Sequence, residues 1–178
     1  EVPQQESFYR DKVRGSDSRM FVIVSDALRY EVAATLAEEL QRDMQCKVAL
    51  GSQEGIFPTA TKYGMAALLP HKALSVALRS NDTLAVLADE QPTDAGYRDK
   101  VLKTANPKSV ALKYDDVIVL KRQERQALVK GMEVVYFYHD TVDKASHTAD
   151  SAVFTACDDA IGQIKNLIRI IVNEFGGT

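Results

Sequence analysis

Residues 21–31 read FVIVSDALRYE: an apolar, mostly β-branched run that ends on a carboxylate, Asp26. The run from residue 20 to residue 25 predicts a strand covered on both faces, because its apolar residues do not alternate with polar ones. Two roles for Asp26 stay open. An aspartate at this position can cap the helix that follows, or it can hold a metal ion at the tip of a parallel sheet.

After Asp26 the spacing of the apolar residues changes, which indicates a helix. Apolar side chains recur every four residues, at Val32, Leu36, Leu40 and Met44. This spacing predicts one buried stripe. The sequence CKVALGS, residues 46–52, then predicts a second strand. Residues 20–52 would therefore form a β-α-β unit, and a parallel sheet is the natural inference.

The rest of the chain alternates clear and weak patterns. Residues 1–19 are polar and predict a linker or an N-terminal arm. Pro58 and Pro70 bracket a predicted short helix at 59–69. Residues 71–125 predict an irregular insertion, in which LAVLAD suggests a short strand and GYRDKVLKTA a short helix.

Order returns near the end of the chain. Residues 132–140, MEVVYFYHD, predict another buried strand. An apolar stripe from Val153 to Phe175 then predicts a long helix, which Gly176 and Gly177 would end in a left-handed cap.

Composition narrows the function classes. The 178 residues are 46% hydrophobic and 26% charged, as in one soluble globular domain. The net charge of −3 does not indicate nucleic-acid binding, although a local patch could still provide it. No apolar run has the roughly 18 residues of a membrane span. Cys46 and Cys157 are too few for a disulfide framework, which fits a reducing, cytoplasmic location.

Polar residues follow three predicted strands, where parallel sheets bind their ligands. Asp26 follows the first strand. Thr59 and Thr61 stand at a helix start, where each could cap the helix or, beside a bound anion, act as a nucleophile. Lys62 next to them is better explained as a solvated surface charge.

The third polar segment, HDTVDKASH, contains His139, Asp140, Asp143 and His147. The spacing of Asp143 and His147 puts both side chains on one side of a helical turn. A carboxylate and an imidazole suit zinc, and manganese less well. A solvated charged loop is the alternative for this segment alone.

The strings VIVSDALRYE, FPTATKYGMAALLP and VVYFYHDTVDKASH resemble the PglZ domain, a phosphatase-like domain of bacteriophage-exclusion defence systems. The chain is more distantly similar to the alkaline phosphatase superfamily. The resemblance covers about residues 20–175. It implies an α/β three-layer sandwich with a mostly parallel central sheet, in a domain that spans 20–178 and is incomplete at its C-terminal end.

The resemblance also implies roles for single residues. Thr61 would be the nucleophile, with Thr59 as the fallback, and it would bridge two metal ions, most simply zinc. Asp26, together with the pair Asp143 and His147, would complete the metal ligands that the chain contains. Arg29 and Lys62 would contact the substrate phosphate, an expectation that rests on their adjacency to these residues.

The superfamily pattern is only partly present. Its further strand with an Asp-His-Gly string and its later histidine do not occur here, and Ser146 stands where the superfamily has a glycine. We therefore expect this chain alone to be metal-free and to show little activity. The intact protein would hydrolyse a phosphate ester, alone or with other defence-system proteins.

The sequence bears on two other function classes. A catalytically dispensable scaffold in a defence complex is the alternative reading of the same domain. A nucleotide-binding Rossmann or P-loop domain is disfavoured, because neither glycine-rich string occurs.

Overall fold

The computed structural model describes residues 2–44, 46–147 and 150–176. The strands are β1 (Met20–Ser25), β2 (Leu74–Leu78), β3 (Leu84–Ala88), β4 (Gln91–Pro92), β5 (Ser109–Lys113) and β6 (Val134–His139). The α-helices are α1 (Tyr30–Met44), α2 (Thr61–Ala67), α3 (Arg98–Ala105), α4 (Tyr114–Ile118), α5 (Arg122–Val129), α6 (Thr141–Ser146) and α7 (Asp150–Ile170). A 3-10 turn (Gln5–Ser7) and two π-helical turns (Tyr9–Val13 and Ile171–Phe175) accompany them.

The strands β1, β6 and β5 form a parallel sheet in that order. Met20 N–H donates to the carbonyl of Glu133, and Asp26 N–H donates to the carbonyl of His139, both at 2.8 Å. Because both partners advance together along the chain, β1 and β6 run parallel. The buried residues of these two strands include Val22, Val24, Val134, Val135, Tyr136 and Phe137. The predicted α/β class with a parallel sheet is confirmed.

Residues 71–125 are regular, in contrast to the predicted irregular insertion. β2, β3 and β4 form an antiparallel sheet, in which Leu74 pairs with Ala88 and Leu78 with Leu84. The predicted short strand and short helix of this segment are confirmed as β3 and α3. The segment also contains β5, α4 and α5. Each of these elements has at most eight residues, which is too short for a clear periodicity.

The predicted second strand at 46–52 is wrong, because these residues adopt no regular structure. Their only apolar run is Val48, Ala49 and Leu50, and Leu50 is 46% exposed. Three apolar residues do not provide the buried face that a parallel strand needs. The strand that pairs with β1 is β6, more than a hundred residues further along the chain.

Residues 2–19 pack more closely than a linker would. Tyr9 and Val13, in the first π-helical turn, are buried, and so is Ser7. Residues 3–5 pair with Glu54 in an isolated parallel bridge. The segment is polar in composition, which suggested a linker or an N-terminal arm, but a few of its side chains are buried in a core.

The chain divides into two compact units. The first comprises residues 1–20, 52–111 and 131–136, and the second comprises residues 21–51, 112–130 and 137–178. In the first unit, α2 contacts β3 and the 3-10 turn. Tyr136 is fully buried there, and its hydroxyl donates to the carbonyl of Leu68 at 2.9 Å.

The second unit has its core between α1 and α7. Leu36, Ile161 and Ile164 form a buried cluster, against which further apolar side chains pack. Those partners are Ile23, Leu28, Val32, Leu40 and Ile168. The stripes predicted for the two long helices are thus the faces that meet. Such contact between apolar faces, rather than helix propensity, provides most of the stability of helices this long.

The end of α7 differs from its prediction. The chain leaves the helix through the π-helical turn, and Gly176 has φ −77°, which is not left-handed. A Cβ at Gly176 would lie 2.9 Å from the carbonyl oxygen of Val172, so this position needs a glycine for space rather than for its φ. Gly177 lies outside the described residues. Across the described ranges, no helix has the length and apolarity of a membrane span.

We predict that Ile164→Ala lowers the free energy of unfolding by about 2–5 kcal/mol, because it leaves a cavity in the α1–α7 core. Phe154→Ala on the same helix is the matched control, because Phe154 is 76% exposed and its loss should change stability by less than about 1 kcal/mol. Urea denaturation measures both values. Equal losses in the two variants would contradict this account of the core.

Candidate functional site

Asp26 lies at the tip of β1 and is half-buried. It stands four residues before Tyr30, the first residue of α1, so it does not occupy the N-cap position. Its Oδ1 accepts a hydrogen bond from Ala27 N–H at 3.0 Å. Ala27 has φ +58°, a left-handed conformation that a residue with a Cβ adopts at a cost. This turn keeps Asp26 at the strand end instead of in the helix.

His139, the last residue of β6, is 2% exposed and both its ring nitrogens are engaged. Its Nδ1 lies 2.9 Å from Ser25 Oγ, and its Nε2 lies 2.6 Å from Gln163 Oε1. The amide oxygen can only accept, so Nε2 carries the hydrogen. The Tyr114 ring meets the imidazole edge-on at 5.0 Å. His139 is therefore a structural residue in this arrangement, with no nitrogen left for a metal.

Gln163 is the residue of this network that the sequence analysis missed. Its Oε1 also accepts from the Thr141 hydroxyl at 2.7 Å. One amide oxygen therefore accepts hydrogen bonds from a residue of β6 and from a residue of α6. The available signal was a polar residue between Ala160 and Ile164 in the apolar stripe of α7. A polar side chain on a buried face requires a partner there.

Asp140 follows His139 and pairs with Lys144. Lys144 Nζ lies 2.8 Å from Asp140 Oδ1 and 2.8 Å from Asp115 Oδ2. The hydrogen bond to Asp115, and then the one to Asp140, raise the pKa of Lys144 above its ordinary value. The ammonium thus stays charged and partly neutralises both carboxylates.

Asp143 and His147 are brought together, as their spacing predicts. His147 Nε2 lies 3.7 Å from Asp143 Oδ2, one turn apart on α6 and its C-cap. The His147 side chain is 76% exposed and that of Asp143 is 33% exposed. His147 is the most exposed of the four acidic and histidine side chains in 139–147, and Asp143 is less exposed than Asp140, whose side chain is 51% exposed.

Thr59, Thr61 and Lys62 lie in the first compact unit and are exposed. The N-cap of α2 is Ala60, which has no side-chain oxygen, and Thr61 is the first helical residue. Neither threonine therefore occupies the capping position. Lys62 Nζ contacts the carbonyl of Leu84 at 3.4 Å and lies 5.7 Å from the centre of the Tyr63 ring.

The remaining candidates belong to the second unit, which contains Asp26, Arg29, Asp143 and His147. Arg29 is exposed and directly precedes α1. Its role as a phosphate contact stays a prediction.

The described residues fit a divalent metal only in part. Asp143 and His147 offer one carboxylate and one imidazole, which are donors that zinc accepts. Within residues 2–44, 46–147 and 150–176, no three His, Cys, Asp or Glu side chains lie close enough to hold one ion. A catalytic zinc normally has three protein ligands. The pair is therefore only a partial ligand set.

Comparison with known families defines the class of protein. The family described as the BREX system PglZ alkaline phosphatase-like domain matches residues 7–178. The parallel sheet with polar strand ends agrees with an alkaline phosphatase-like α/β domain. Within that class, the chain belongs to the PglZ family, and the resemblance inferred from its sequence is confirmed.

Two curated relatives extend this result. The alkaline phosphatase-like protein BrxZ of Escherichia coli O9:H4 (strain HS) is 38% identical over 185 residues, which cover 99% of this chain and 21% of that protein. The alkaline phosphatase-like protein PglZ of Bacillus cereus (strain H3081.97) is 32% identical over 182 residues, with the same coverage. The chain thus spans about a fifth of the length of these relatives. No solved structure matches it significantly.

We predict that Gln163→Leu lowers the free energy of unfolding by about 1–3 kcal/mol, because the His139 and Thr141 donors lose their shared acceptor. Gln123→Leu, at an exposed position of α5, is the control and should change stability by less than about 0.5 kcal/mol. Urea denaturation distinguishes the two. A Gln163→Leu protein as stable as the control would show that the network contributes nothing.

Proposed function

We propose that this chain contributes the nucleophile and part of the metal-ligand set of a phosphatase or phosphodiesterase in a BREX defence system. Membership of the PglZ family supports the class of activity. The observation that carries the assignment to residues is the approach of Asp143 and His147 to 3.7 Å just beyond the carboxyl end of β6. Ligands of parallel sheets bind at that end.

In the proposed reaction, the Thr61 hydroxyl oxygen bonds to phosphorus, the bond from phosphorus to the leaving-group oxygen breaks, and the hydroxyl proton ends on the leaving alcohol. Water then cleaves the phosphothreonine, restores the threonine hydroxyl and releases phosphate from a monoester or a phosphate monoester from a diester. Arg29 and Lys62 contact the phosphoryl oxygens. Thr59 is the alternative nucleophile. Both threonines are exposed and neither is the N-cap of α2, which supports a role for them other than helix capping.

Asp26, Thr61, Asp143 and His147 are the residues that we assign to metal binding. A divalent cation, zinc by ligand type, would activate the hydroxyl and neutralise charge on the phosphoryl group. Because the described residues provide only part of a ligand shell, we assign the complete set to the intact protein. For the same reason, the 178-residue chain alone should hydrolyse phosphate esters weakly.

We predict that Thr61→Ala in the intact protein lowers kcat for p-nitrophenyl phosphate or its diester by at least about 100-fold, because the nucleophile is lost. Thr59→Ala is the matched control and should retain activity within a few-fold. The reverse pattern would assign the reaction to Thr59. If the Thr61→Ala protein binds its partner subunits and still protects cells from phage, the domain acts as a scaffold instead.

We predict that Asp143→Asn and His147→Ala each weaken zinc binding by the intact protein by at least about tenfold, because the first replaces a charged carboxylate by a neutral amide and the second removes the imidazole. Titration calorimetry on the chelator-treated protein measures this. His71→Ala is the control, because His71 Nδ1 lies 2.7 Å from the carbonyl of Leu69, in the other compact unit. Unchanged affinity in both site variants would contradict the ligand assignment.

A further inference from the structure

The segment that carries Thr59 and Thr61 is attached to residues 3–5. Gln5 N–H donates to the carbonyl of Glu54 at 2.9 Å, and Glu54 N–H donates to the carbonyl of Pro3 at 2.8 Å. The side chain of Gln4 also donates to the carboxylate of Glu54 at 2.8 Å. The two backbone bonds place Gln5 beside the segment that leads into α2.

The Gln5 side chain then bonds to both ends of this segment. Its Oε1 accepts from Ile56 N–H at 3.0 Å, and its Nε2 donates to the carbonyl of Gly64 at 3.4 Å. One amide thus joins a donor before the two threonines and an acceptor after them. Among uncharged side chains, only an amide presents an acceptor and an NH₂ donor side by side in this way.

Few other hydrogen bonds hold the segment. Within the described part of the chain, residues 56–59 make one hydrogen bond to a residue outside 56–60, and it is the bond from Ile56 to Gln5. The other bond in this stretch is local, from Ala60 N–H to the carbonyl of Pro58. The backbone before Thr61 is therefore restrained by hydrogen bonding mainly through Gln5.

Gly64 permits the close approach of Gln5 to α2. A Cβ at Gly64 would lie 3.3 Å from Gln5 Nε2, which is tighter than most such contacts. An alanine there would force the amide to move and would weaken its bond to the carbonyl of residue 64. Gly64 and Gln5 therefore form one contact that two separate substitutions can disturb.

We propose that Gln5 is a positioning residue for the candidate nucleophile: it restrains the backbone on both sides of Thr59 and Thr61. This inference rests on the proposed function. The physical reason is that in-line attack requires the nucleophile within a narrow range of positions, and a misplacement of about 1 Å can cost about 100-fold in rate. Gln5 itself does not contact the substrate in this proposal.

The test uses the intact protein with Gln5→Ala, Gln5→Glu and the matched control Gln4→Ala. Gln5→Ala should lower kcat for p-nitrophenyl phosphate by about tenfold or more and leave KM within about twofold. Gln5→Glu keeps the acceptor for Ile56 N–H and loses the donor to Gly64, so its kcat should be intermediate. Gln4→Ala should retain kcat, because residues 3–5 keep their backbone bonds to Glu54, and among the described residues the Gln4 side chain hydrogen-bonds only to Val2 and Glu54.

Hydrogen exchange followed by mass spectrometry gives a second readout. The peptide that covers residues 55–64 should exchange faster in Gln5→Ala, while a peptide from β6 stays unchanged. Gly64→Ala should reproduce both effects. The double variant Gln5→Ala/Gly64→Ala should be no worse than the more impaired single variant, because both substitutions break the same contact.

The outcomes separate this inference from the proposed function. If Thr61→Ala is inactive and Gln5→Ala keeps the original kcat, the positioning role is rejected and the nucleophile stands. If Thr61→Ala and Thr59→Ala both keep full activity, the proposed function itself is rejected. Unchanged exchange in the 55–64 peptide, or fully additive losses in the double variant, would also overturn the role of Gln5.

Discussion

The parallel pairing of β1 with β6 determines where the polar strand ends of the second unit lie. The hydrogen bond from Asp26 N–H to the carbonyl of His139 sets the register. Both strands therefore end at the same level, and Asp26 and Asp140 follow them directly. The buried imidazole of His139 strengthens the arrangement, because it joins Ser25 at the end of β1 to Gln163 on α7. If the pairing of β1 with β6 shifted by one residue, the buried side chains of the shifted strand would move to the opposite face of the sheet.

The register also explains how the segment 139–147 distributes its ionisable groups. His139 is buried, because the last residue of β6 points into the packing beneath α7 and Tyr114. Asp140 meets Lys144 from the next helical turn. Asp143 and His147 then lie one helical turn apart, with His147 Nε2 3.7 Å from Asp143 Oδ2. The sequence alone does not distinguish the environments of these four ionisable residues. They differ in burial and pairing because the chain turns into a helix directly after the strand.

Much of the fold could be predicted from sequence, because its longest elements have strong patterns. β1, β6, α1 and α7 carry apolar runs or stripes that are buried in the structure. The failed prediction at 46–52 and the missed β5 have one cause: a short apolar run is a strand only if a partner strand and a buried face are available. Both conditions depend on residues far away in the chain.

For the candidate residues too, local relations could be predicted from sequence and long-range contacts could not. The spacing of Asp143 and His147 is local, so sequence could place them together. The contacts of Gln163 with His139, and of Gln5 with Ile56 and Gly64, join residues 24 to 59 positions apart. No local pattern reports such contacts. The polar segment around Gln5 consequently suggested a linker, although its side chain bonds to a loop of the first unit.

The separation of β1 from β6 has a consequence for synthesis on the ribosome. Asp26 and His139 are 113 residues apart. At about 5–20 residues per second, β1 waits roughly 6–23 s for the strand that will cover its hydrogen-bonding edge. During that interval its β-branched, apolar residues form an unpaired edge of the kind that aggregates. Early packing of α1 would shield the strand during that interval, because Ile23 of β1 packs against the cluster that contains Leu36 of α1.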